Sequence, residues 1–275
     1  MRFETLKDRM NYYRGLTDYK LMPRSYVMVM LDGRSFSHLI KNKFRKPFDG
    51  DFIEMMNETA RYVCENVSGC KFAYVQSDEI SLVLTDFDND STESFFGYRL
   101  TKMLSIIASL ATGKFNQLMT LRLLGSIAES PNSVNIGVCK NAISSLKLAQ
   151  FDCKCWNVPC YNDVFGWLLH RQIDCIRNSK AQTAQAYLPH KQLEKLNADQ
   201  QIEKLKAEKG VDWHSFDDSL KFGRFIYKED IMMTSPCENG TMEYMRHPWI
   251  IHPAFCLTNE DGRARFDALN IIPVM

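Results

Sequence analysis

The sequence predicts an α+β fold, in which a ferredoxin-like domain of antiparallel sheet and packed helices is followed by a closely packed C-terminal α/β lobe. Strand-like and helix-like hydrophobic patterns alternate in the order β, α, β-turn-β, α, β, which is the split βαβ arrangement. The chain has 275 residues, 45% of them hydrophobic, which is enough to bury a sizeable core. No repeat or low-complexity linker marks a boundary, and we place the first domain at residues 1–140 and the lobe at 141–275.

Each element of the first domain has its own hydrophobic pattern. Residues 25–31, SYVMVML, are rich in β-formers and end abruptly at Asp32-Gly33-Arg34, as a strand followed by a tight turn does. The remaining predicted elements are an amphipathic helix over 49–67, strands over 70–75 and 80–84 joined by a turn at 76–79, a helix over 92–114, and a strand at 134–139 or 148–158.

The topology of this arrangement brings two acids together. A right-handed helical crossover leaves a gap between two parallel strands, and the third strand returns through a hairpin to fill it. The end of the first strand and the turn between the second and third therefore lie at the same edge of the sheet. We expect Asp32 and Asp78, which are far apart in sequence, to be neighbours.

The second half of the chain has a less regular pattern. FDCKCWNVP (151–159) predicts a strand, and residues 162–188 predict a long helix that Asn162 or Asp163 could cap. Residues 190–210 form a charged helical stretch that Gly210 stops. The tail after this stretch mixes short predicted strands and turns.

Composition sets broad expectations about partners and location. Thirty-four basic residues against 33 acidic ones leave a formal charge of +1, so a nucleic-acid partner would have to meet local basic patches. Nine cysteines suit reduced thiols better than a disulfide framework. The N-terminal segment lacks a signal-peptide pattern, and no apolar run reaches about 20 residues, so we expect a cytoplasmic protein without a membrane partner.

The acids at the predicted sheet edge suit a magnesium site. Mg²⁺ prefers carboxylate, carbonyl and water oxygens, which Asp32, Asp78 and the Gly33 carbonyl could supply, with Glu79 beside them. Two ions held in this way can lower the pKa of an attacking hydroxyl and stabilise a leaving pyrophosphate. The alternative is an Asx-turn whose acid is exposed to solvent.

Three motifs carry a resemblance to a known family. VMLDGRSF (29–36), FRKPFD (44–49) and YVQSDEISLVL (74–84) resemble motifs of the tRNA-His guanylyltransferase family in order and spacing. The resemblance is strong over residues 5–115 and is carried afterwards by FDCK (151–154), YND (161–163) and RQIDC (171–175). It implies a polymerase/cyclase palm and a Mg²⁺-dependent nucleotidyltransferase that adds nucleotides in the 3′→5′ direction to the 5′ end of tRNA, in tRNA repair or in guanylate addition to tRNA-His.

The resemblance also implies roles for individual residues. Asp32, the Gly33 carbonyl and Asp78 would hold two Mg²⁺ ions, and Glu79 would support them in catalysis. The residues implied to bind GTP, ATP or another nucleoside triphosphate are Asp32, Gly33, Arg34, Ser35, Phe36, Ser37, Lys46, Asp49, Ser77, Asp78, Arg99 and Lys102. Arg99 and Lys102 also have the i, i+3 spacing that places two cations on one helix face, where they could bind phosphates or be solvated.

Further polar residues are candidates for contact with tRNA. They are Lys154, Arg171 and Asn178. Arg171 and Asn178 follow helical spacing with Asp174, and this stripe could face tRNA or a second nucleotide, or form a salt-bridge network between subunits. KNKFRK (41–46) surrounds an aromatic residue with four cations, which suits phosphate contact and base stacking but is also typical of an exposed loop.

Three cysteines at 153, 155 and 160 invite a zinc interpretation. Their spacing lacks the paired C-x₂-C of common structural sites. Alternation would put Cys153 and Cys155 on the same face of a strand, so we expect small core residues rather than ligands.

The chain departs from the family pattern in three places. Ser37 stands where the tRNA-His enzymes commonly carry His, Ile176–Asn178 replaces a His-x-Asn pattern, and Ala198–Ile202 replaces Ala-Asp-Lys-Asn-Glu. These departures favour the guanylyltransferase-like branch of 3′→5′ polymerases, and the resemblance implies a homotetramer. Two alternatives remain: a nucleotide cyclase-like palm enzyme and a catalytically inactive RNA-binding module.

Overall fold

The computed structural model describes residues 3–40, 43–128, 136–237 and 240–274. The strands are β1 (Tyr26–Gly33), β2 (Cys70–Gln76), β3 (Glu79–Leu84), β4 (Phe151–Val158), β5 (Arg224–Lys228), β6 (Ile231–Cys237), β7 (Gly240–Arg246) and β8 (Trp249–Pro253). The helices are α1 (Leu6–Gly15), α2 (Phe36–Ile40), α3 (Gly50–Asn66), α4 (Leu100–Ala128), α5 (Ile136–Ser144), α6 (Tyr161–Tyr187), α7 (His190–Leu193), α8 (Ala198–Lys209), α9 (Asp218–Phe222) and α10 (Gly262–Ala268).

A six-stranded antiparallel sheet is the centre of the fold. Its strand order is β4-β1-β3-β2-β5-β8, and every neighbouring pair is antiparallel. Because β3 lies antiparallel between β1 and β2, those two strands are parallel to each other, and the crossover between them contains α3. The first four strands therefore have the predicted ferredoxin-like order, and the α+β prediction is confirmed.

The two faces of the sheet have separate cores. Val29 and Leu31 of β1 pack with residues of α3 and α4, whereas Tyr26 and Met28 lie on the opposite face with residues of α6. Burial on both faces explains why β1, β2 and β3 read as almost continuous apolar runs. In these three strands the charged side chains Asp32, Lys71 and Glu79 lie near the strand ends, and two of them, Asp32 and Glu79, share one end.

The helix after β3 begins and ends later than its hydrophobic spacing predicted. α4 starts at Leu100, and the three residues Phe96, Gly97 and Tyr98 have φ values of +52°, +59° and +51°. Such left-handed backbone cannot continue a right-handed helix, so the predicted start at 92 is wrong. The alternative strand at 134–139 is also wrong over its described residues, because 136–139 belong to α5, whereas the strand within 148–158 is confirmed as β4.

In the second half, the predictions fail mainly at the ends of elements. Cys160 is the N-cap of α6, and Asn162 and Asp163 lie inside its first turn. The charged stretch 190–210 forms two helices rather than one, because Asn197 starts α8 with a reciprocal capping box. Gly210 ends α8 with φ +69°, as predicted. The tail contains the predicted strands and also α10, which the sequence pattern did not indicate.

The sheet crosses the predicted domain boundary. β4 pairs with β1, and β5 pairs with β2, so both halves of the chain contribute strands to one sheet. The division at 140/141 stays a prediction. Within the four described ranges, no helix is both long and apolar enough to cross a membrane.

Candidate functional site

The loop after β1 and the β2–β3 turn lie side by side at one end of the strands of the central sheet. Asp32 lies opposite Glu79 in the β1–β3 register, and the Gly33 N–H donates a hydrogen bond of 3.1 Å to the Asp78 carbonyl. The structure therefore brings Asp32 and Asp78 together, as the topology predicts. Their carboxylates belong to two segments that the sheet itself holds in register.

Both loops contain residues in unusual backbone conformations. Ser77 and Ser35 have φ values of +45° and +55°, in the left-handed region that is uncommon for residues other than glycine. Gly33 is needed for a different reason, since a Cβ there would lie 2.5 Å from the buried Phe36 ring. Strained residues of this kind concentrate at functional sites, because surrounding structure must hold them in place.

The two aspartates are in an environment that opposes their ionisation. Burial raises the pKa of Asp32, and the nearby charge of Asp152 raises it further. Burial also raises the pKa of Asp78, with a smaller contribution from the charge of Asp32. A bound cation would relieve both effects, because it favours the charged form of each carboxylate.

Strand β4 adds an acid that the sequence reasoning missed. Asp152 lies opposite Asp32 in the β1–β4 register, and Lys154 follows on the same face, where its charge lowers the pKa of Asp32. Both side chains are exposed. Alternation within FDCK does place residues 152 and 154 on one face of a strand. The sequence pattern did not show that β4 pairs with β1, and only this pairing brings Asp152 next to Asp32.

Glu79 faces α6. Its side chain is buried, and Arg171 of α6 pairs with both of its carboxylate oxygens. Arg171 also bonds Asp174 within the same chain. Asn178 lies two turns further along α6 and is exposed. Of the three candidates for tRNA contact, Arg171 thus already has partners, whereas Lys154 and Asn178 are accessible.

The two predicted phosphate ligands do not share a helix face. Arg99 precedes α4 in extended backbone, and its carbonyl accepts from the N–H groups of Lys102 and Met103. Its guanidinium Nε donates to Asp18 at 2.9 Å, and the Lys102 ammonium lies 4.3 Å from the centre of the Phe96 ring. The i, i+3 argument is therefore wrong for this pair, because the helix starts one residue too late.

The remaining nucleotide candidates surround the two loops. Asp49 is buried and caps α3, accepting from the N–H groups of Phe52 at 3.0 Å and Arg45 at 2.8 Å. Phe36 is buried in the core, so only its backbone can face a ligand. The exposed candidates are Arg34, Ser35, Ser37, Lys46 and Ser77. Residues 41 and 42 of the KNKFRK motif lie outside the described residues.

The cysteines of β4 do not form a metal cluster. The Sγ atoms of Cys153 and Cys155 are 3.9 Å apart on the face that packs with α3 and α4. Cys160 instead lies at the start of α6, where its thiol donates to Asp163 at 3.1 Å. In the described parts of the chain, no three His, Cys, Asp or Glu side chains converge as metal ligands.

Comparison with known proteins identifies several relatives. The tRNAHis guanylyltransferase family model matches residues 7–159. An uncharacterized protein, R259, of Acanthamoeba polyphaga mimivirus is 28% identical over 253 residues, which cover 87% of this chain and 82% of that protein. The tRNA(His) guanylyltransferase of Schizosaccharomyces pombe is 29% identical over 161 residues, covering 58% of this chain and 53% of the relative. The matched region thus spans about half the length of that relative.

Solved structures extend the similarity to almost the whole chain. A bacterial tRNA(His) guanylyltransferase-like protein in complex with ATP superposes with a TM-score of 0.77 and 31% identity, covering 98% of this chain and 100% of that chain. A structure of such a bacterial protein in complex with GTP gives a TM-score of 0.71 and 29% identity over 97% of this chain and 98% of that chain.

Proposed function

Because this chain belongs to the tRNAHis guanylyltransferase family, we propose that it is a nucleotidyltransferase that adds nucleotides in the 3′→5′ direction to the 5′ end of a tRNA. Both tRNA 5′-end repair and guanylate addition to tRNA-His are reactions of this type. The observation that carries the proposal is the placement of Asp32 and Asp78 side by side at the edge of a palm-like sheet.

The donor set at this edge fits a hard divalent cation. Two carboxylates and a backbone carbonyl are the oxygen ligands that Mg²⁺ takes, and Mg²⁺ usually completes its octahedron with waters and substrate phosphates rather than with further protein groups. The raised pKa values of Asp32 and Asp78 fit the same role. We propose that Asp32, the Gly33 carbonyl and Asp78 hold two Mg²⁺ ions. Bound there, Mg²⁺ would activate a hydroxyl and neutralise charge on a leaving group.

The proposed reaction joins an incoming nucleotide to the RNA. The 3′-hydroxyl of a nucleoside triphosphate attacks the 5′ phosphorus of the tRNA, which carries a triphosphate or has been activated with ATP or GTP. A new O–P bond forms, and the phosphoanhydride bond to the leaving pyrophosphate or nucleoside monophosphate breaks. The exposed residues Arg34, Ser35 and Ser37 after β1 and Ser77 in the β2–β3 turn would orient the triphosphate.

Three cations are available to screen phosphate charge. Lys46 lies in the exposed loop before α3, Lys102 lies in the first turn of α4, and Arg99 immediately precedes that helix. Arg99 would have to exchange its exposed bond to Asp18 for a phosphate, at little cost, since exposed ion pairs contribute little. Asp49 positions the Lys46 loop by capping α3, and Lys154 lies next to Asp32 at the open edge, where RNA could approach.

Nucleotide addition to 5′-truncated tRNAs tests the proposal. Purified protein is incubated with Mg²⁺, single nucleoside triphosphates and tRNAs of several identities carrying either a 5′ monophosphate or a 5′ triphosphate. We expect extension by the wild-type protein and a loss of at least about 10³-fold with Asp32→Ala or Asp78→Ala. Asp90→Ala is the matched control, because Asp90 is exposed beyond the opposite end of β3 and should leave the rate unchanged.

Other outcomes would contradict the proposal in distinct ways. Extension that persists in Asp32→Ala and Asp78→Ala would reject the mechanism. A cyclic nucleotide formed without RNA would identify a cyclase, and tight tRNA binding without turnover would identify an RNA-binding module.

We further propose a homotetramer in the cytoplasm. α1 supports self-association, because it has no buried residue and presents Leu6, Met10 and Tyr13 to solvent. Light scattering at several concentrations measures the mass of the assembly, and a monomer at all concentrations would reject the tetramer.

Cell fractionation tests the proposed cytoplasmic location, and recovery of the protein in the membrane fraction would contradict it.

A further inference from the structure

Glu79 is the third carboxylate beside the proposed metal site, although in the described residues its side chain does not converge with those of Asp32 and Asp78. It lies directly opposite Asp32 in the β1–β3 register and follows Asp78 in the chain. Side chains directly opposite each other in an antiparallel pair have Cβ atoms about 4.5–5.5 Å apart. Because the Glu79 side chain is only 8% exposed, it cannot rely on water to stabilise its charge. A carboxylate in this position needs a cation, and the candidates are a metal ion and Arg171.

Arg171 occupies both oxygens of that carboxylate. Its Nε donates to Oε1 at 2.7 Å and its Nη2 donates to Oε2 at 2.6 Å, which is the two-pronged geometry of a strong Arg–carboxylate pair. The Arg171 side chain is itself only 15% exposed. Removal of either partner would leave a largely buried charge without compensation, so the pair is difficult to separate.

Contacts with Asp174 and the attachment of α6 to β3 fix the position of the Arg171 guanidinium. Its Nη1 donates to Asp174 Oδ2 at 2.7 Å, and the other Asp174 oxygen pairs with Arg177 at 2.8 Å. One turn earlier on α6, the Trp167 indole N–H donates to the Ser81 hydroxyl of β3 at 3.1 Å, and its ring lies 5.8 Å from the guanidinium carbon. α6 is thus fixed to the strand that carries Glu79, which sets the position of the Arg171 fork.

We infer that Arg171 is a positioning residue that withholds Glu79 from the metal site. This inference rests on the proposed function, and it assigns Glu79 and Arg171 a joint role that differs from direct support of the ions and from contact with tRNA. The protein then offers two carboxylates rather than three. Coordination positions stay open for substrate phosphates and the attacking hydroxyl, which a third carboxylate would occupy.

The test counts water molecules on a bound ion. Mn²⁺ replaces Mg²⁺ because its paramagnetism allows coordinated waters to be counted by pulsed EPR and water-proton relaxation, in the absence of nucleotide. We expect Arg171→Gln to carry one water fewer than wild type, because the released Glu79 becomes a ligand. The double variant Arg171→Gln with Glu79→Gln should regain the wild-type water number. A change in net charge alone would alter the affinity for Mn²⁺ but not the number of water molecules on the bound ion.

Activity adds a second readout. In nucleotide addition we expect Arg171→Gln to lower kcat by about 10–100-fold, the usual cost of disturbing residues that orient metal ligands, and the double variant to recover part of that loss. Arg61→Gln is the matched control, because Arg61 is the same residue type, pairs with Glu58 on α3 and does not contact Glu79 or Asp174. It should leave the water count and kcat unchanged.

The outcomes separate this inference from the proposed function. An equal water number in wild type and Arg171→Gln would overturn the inference, and so would one additional water in Glu79→Gln, since Glu79 would then already be a ligand. Glu79→Gln alone decides the matter if Arg171→Gln does not fold, because an unchanged water number in it supports the inference. If the wild-type protein added no nucleotide to any tRNA, the proposed function would fail while the water counts still decided the role of Arg171.

Discussion

Asp78 is held where its charge is costly to the fold. Burial raises the pKa of its carboxyl group, hydrogen bonds within the turn offset part of the effect, and the charges of Asp32 and Glu79 oppose ionisation further. The adjacent Ser77 adds a left-handed backbone conformation. A turn selected for stability alone would have a glycine and a neutral side chain at these two positions. The metal-free protein should therefore have a lower free energy of unfolding than a variant with a neutral residue at 78 and a glycine at 77.

The stability of the metal-free protein should reveal this cost. A carboxyl whose pKa is raised by folding contributes stability below its unfolded pKa, about 4, and loses that contribution as the pH rises through the folded value. Asp78→Asn stays neutral, so it should unfold about 2–4 °C higher than wild type at pH 7 in EDTA, with a difference that shrinks towards pH 4. Thermal unfolding across this pH range measures it, and Asp90→Asn should show no such trend. A lower Tm for Asp78→Asn at pH 7 would contradict the argument.

At the scale of elements, helix ends and helix anchors position the site. The loop that carries Lys46 enters α3 through Asp49, whose two carboxylate oxygens accept from the N–H groups of Phe52 and Arg45. On the other face of the sheet, Trp167 ties α6 to β3 through the fully buried Ser81. The first contact fixes the Lys46 loop to α3, and the second fixes α6 to the strand that follows Asp78.

Substitutions at Asp49 should separate folding from nucleotide binding. Asp49→Ala removes both accepted bonds and should cost about 1–2 kcal/mol, the usual value of an N-cap. Asp49→Asn keeps one acceptor oxygen and should cost less, while it removes the charge that could contact a nucleotide. Chemical denaturation gives the stabilities, and the KM for the nucleoside triphosphate reports the charge. An Asp49→Ala variant as stable as wild type would contradict the capping role.

A double-mutant cycle measures how firmly α6 is anchored. Trp167→Phe keeps an aromatic ring but leaves the buried Ser81 hydroxyl without its donor, which should cost about 1–3 kcal/mol. Adding Ser81→Ala removes the unsatisfied hydroxyl and should recover part of that loss. Urea denaturation of the four proteins gives the coupling energy. Strictly additive effects would show that the hydrogen bond does not anchor the helix.

At the scale of the molecule, the sequence was most informative about the order of the elements and the topology that follows from it. The split βαβ core and the meeting of Asp32 with Asp78 followed from hydrophobic spacing and strand topology. The late start of α4 was missed, because apolar spacing carries no information about the left-handed residues at 96–98. The ion pair between Glu79 and Arg171 could not be predicted from the sequence, because 92 residues separate the partners and no local pattern specifies such a pair.

The sheet topology predicts which C-terminal strands the fold needs. β5 and β8 extend the central sheet, whereas β6 and β7, in the part of the chain that the structure describes, pair with each other in a separate two-stranded sheet. Glu229 and Pro248 are hydrogen-bonded at the base of that hairpin, so a short glycine-containing turn can replace residues 230–247. We expect this deletion to change Tm by no more than about 2–4 °C. Removal of residues 249–275, which takes away β8 and α10, should abolish cooperative unfolding. Calorimetry compares the two, and a large loss in the hairpin deletion would contradict the prediction.

The register between β1 and β3 limits how this sequence can change over time. Because side chains alternate, insertion of a single residue within β1 ahead of Asp32 would move Asp32 into the α3–α4 core and put Leu31 in its place. An insertion within β3 would shift its pairing with β1 and turn part of its side chains to the opposite face. Insertions and deletions should therefore be rare within residues 26–33 and 79–84, whereas exchanges among apolar residues of similar size at the buried positions of these strands should be tolerated. The loop after β3, at the far edge of the sheet, can vary in length without moving either aspartate. Descendants of this chain should differ in length at that end of the molecule first.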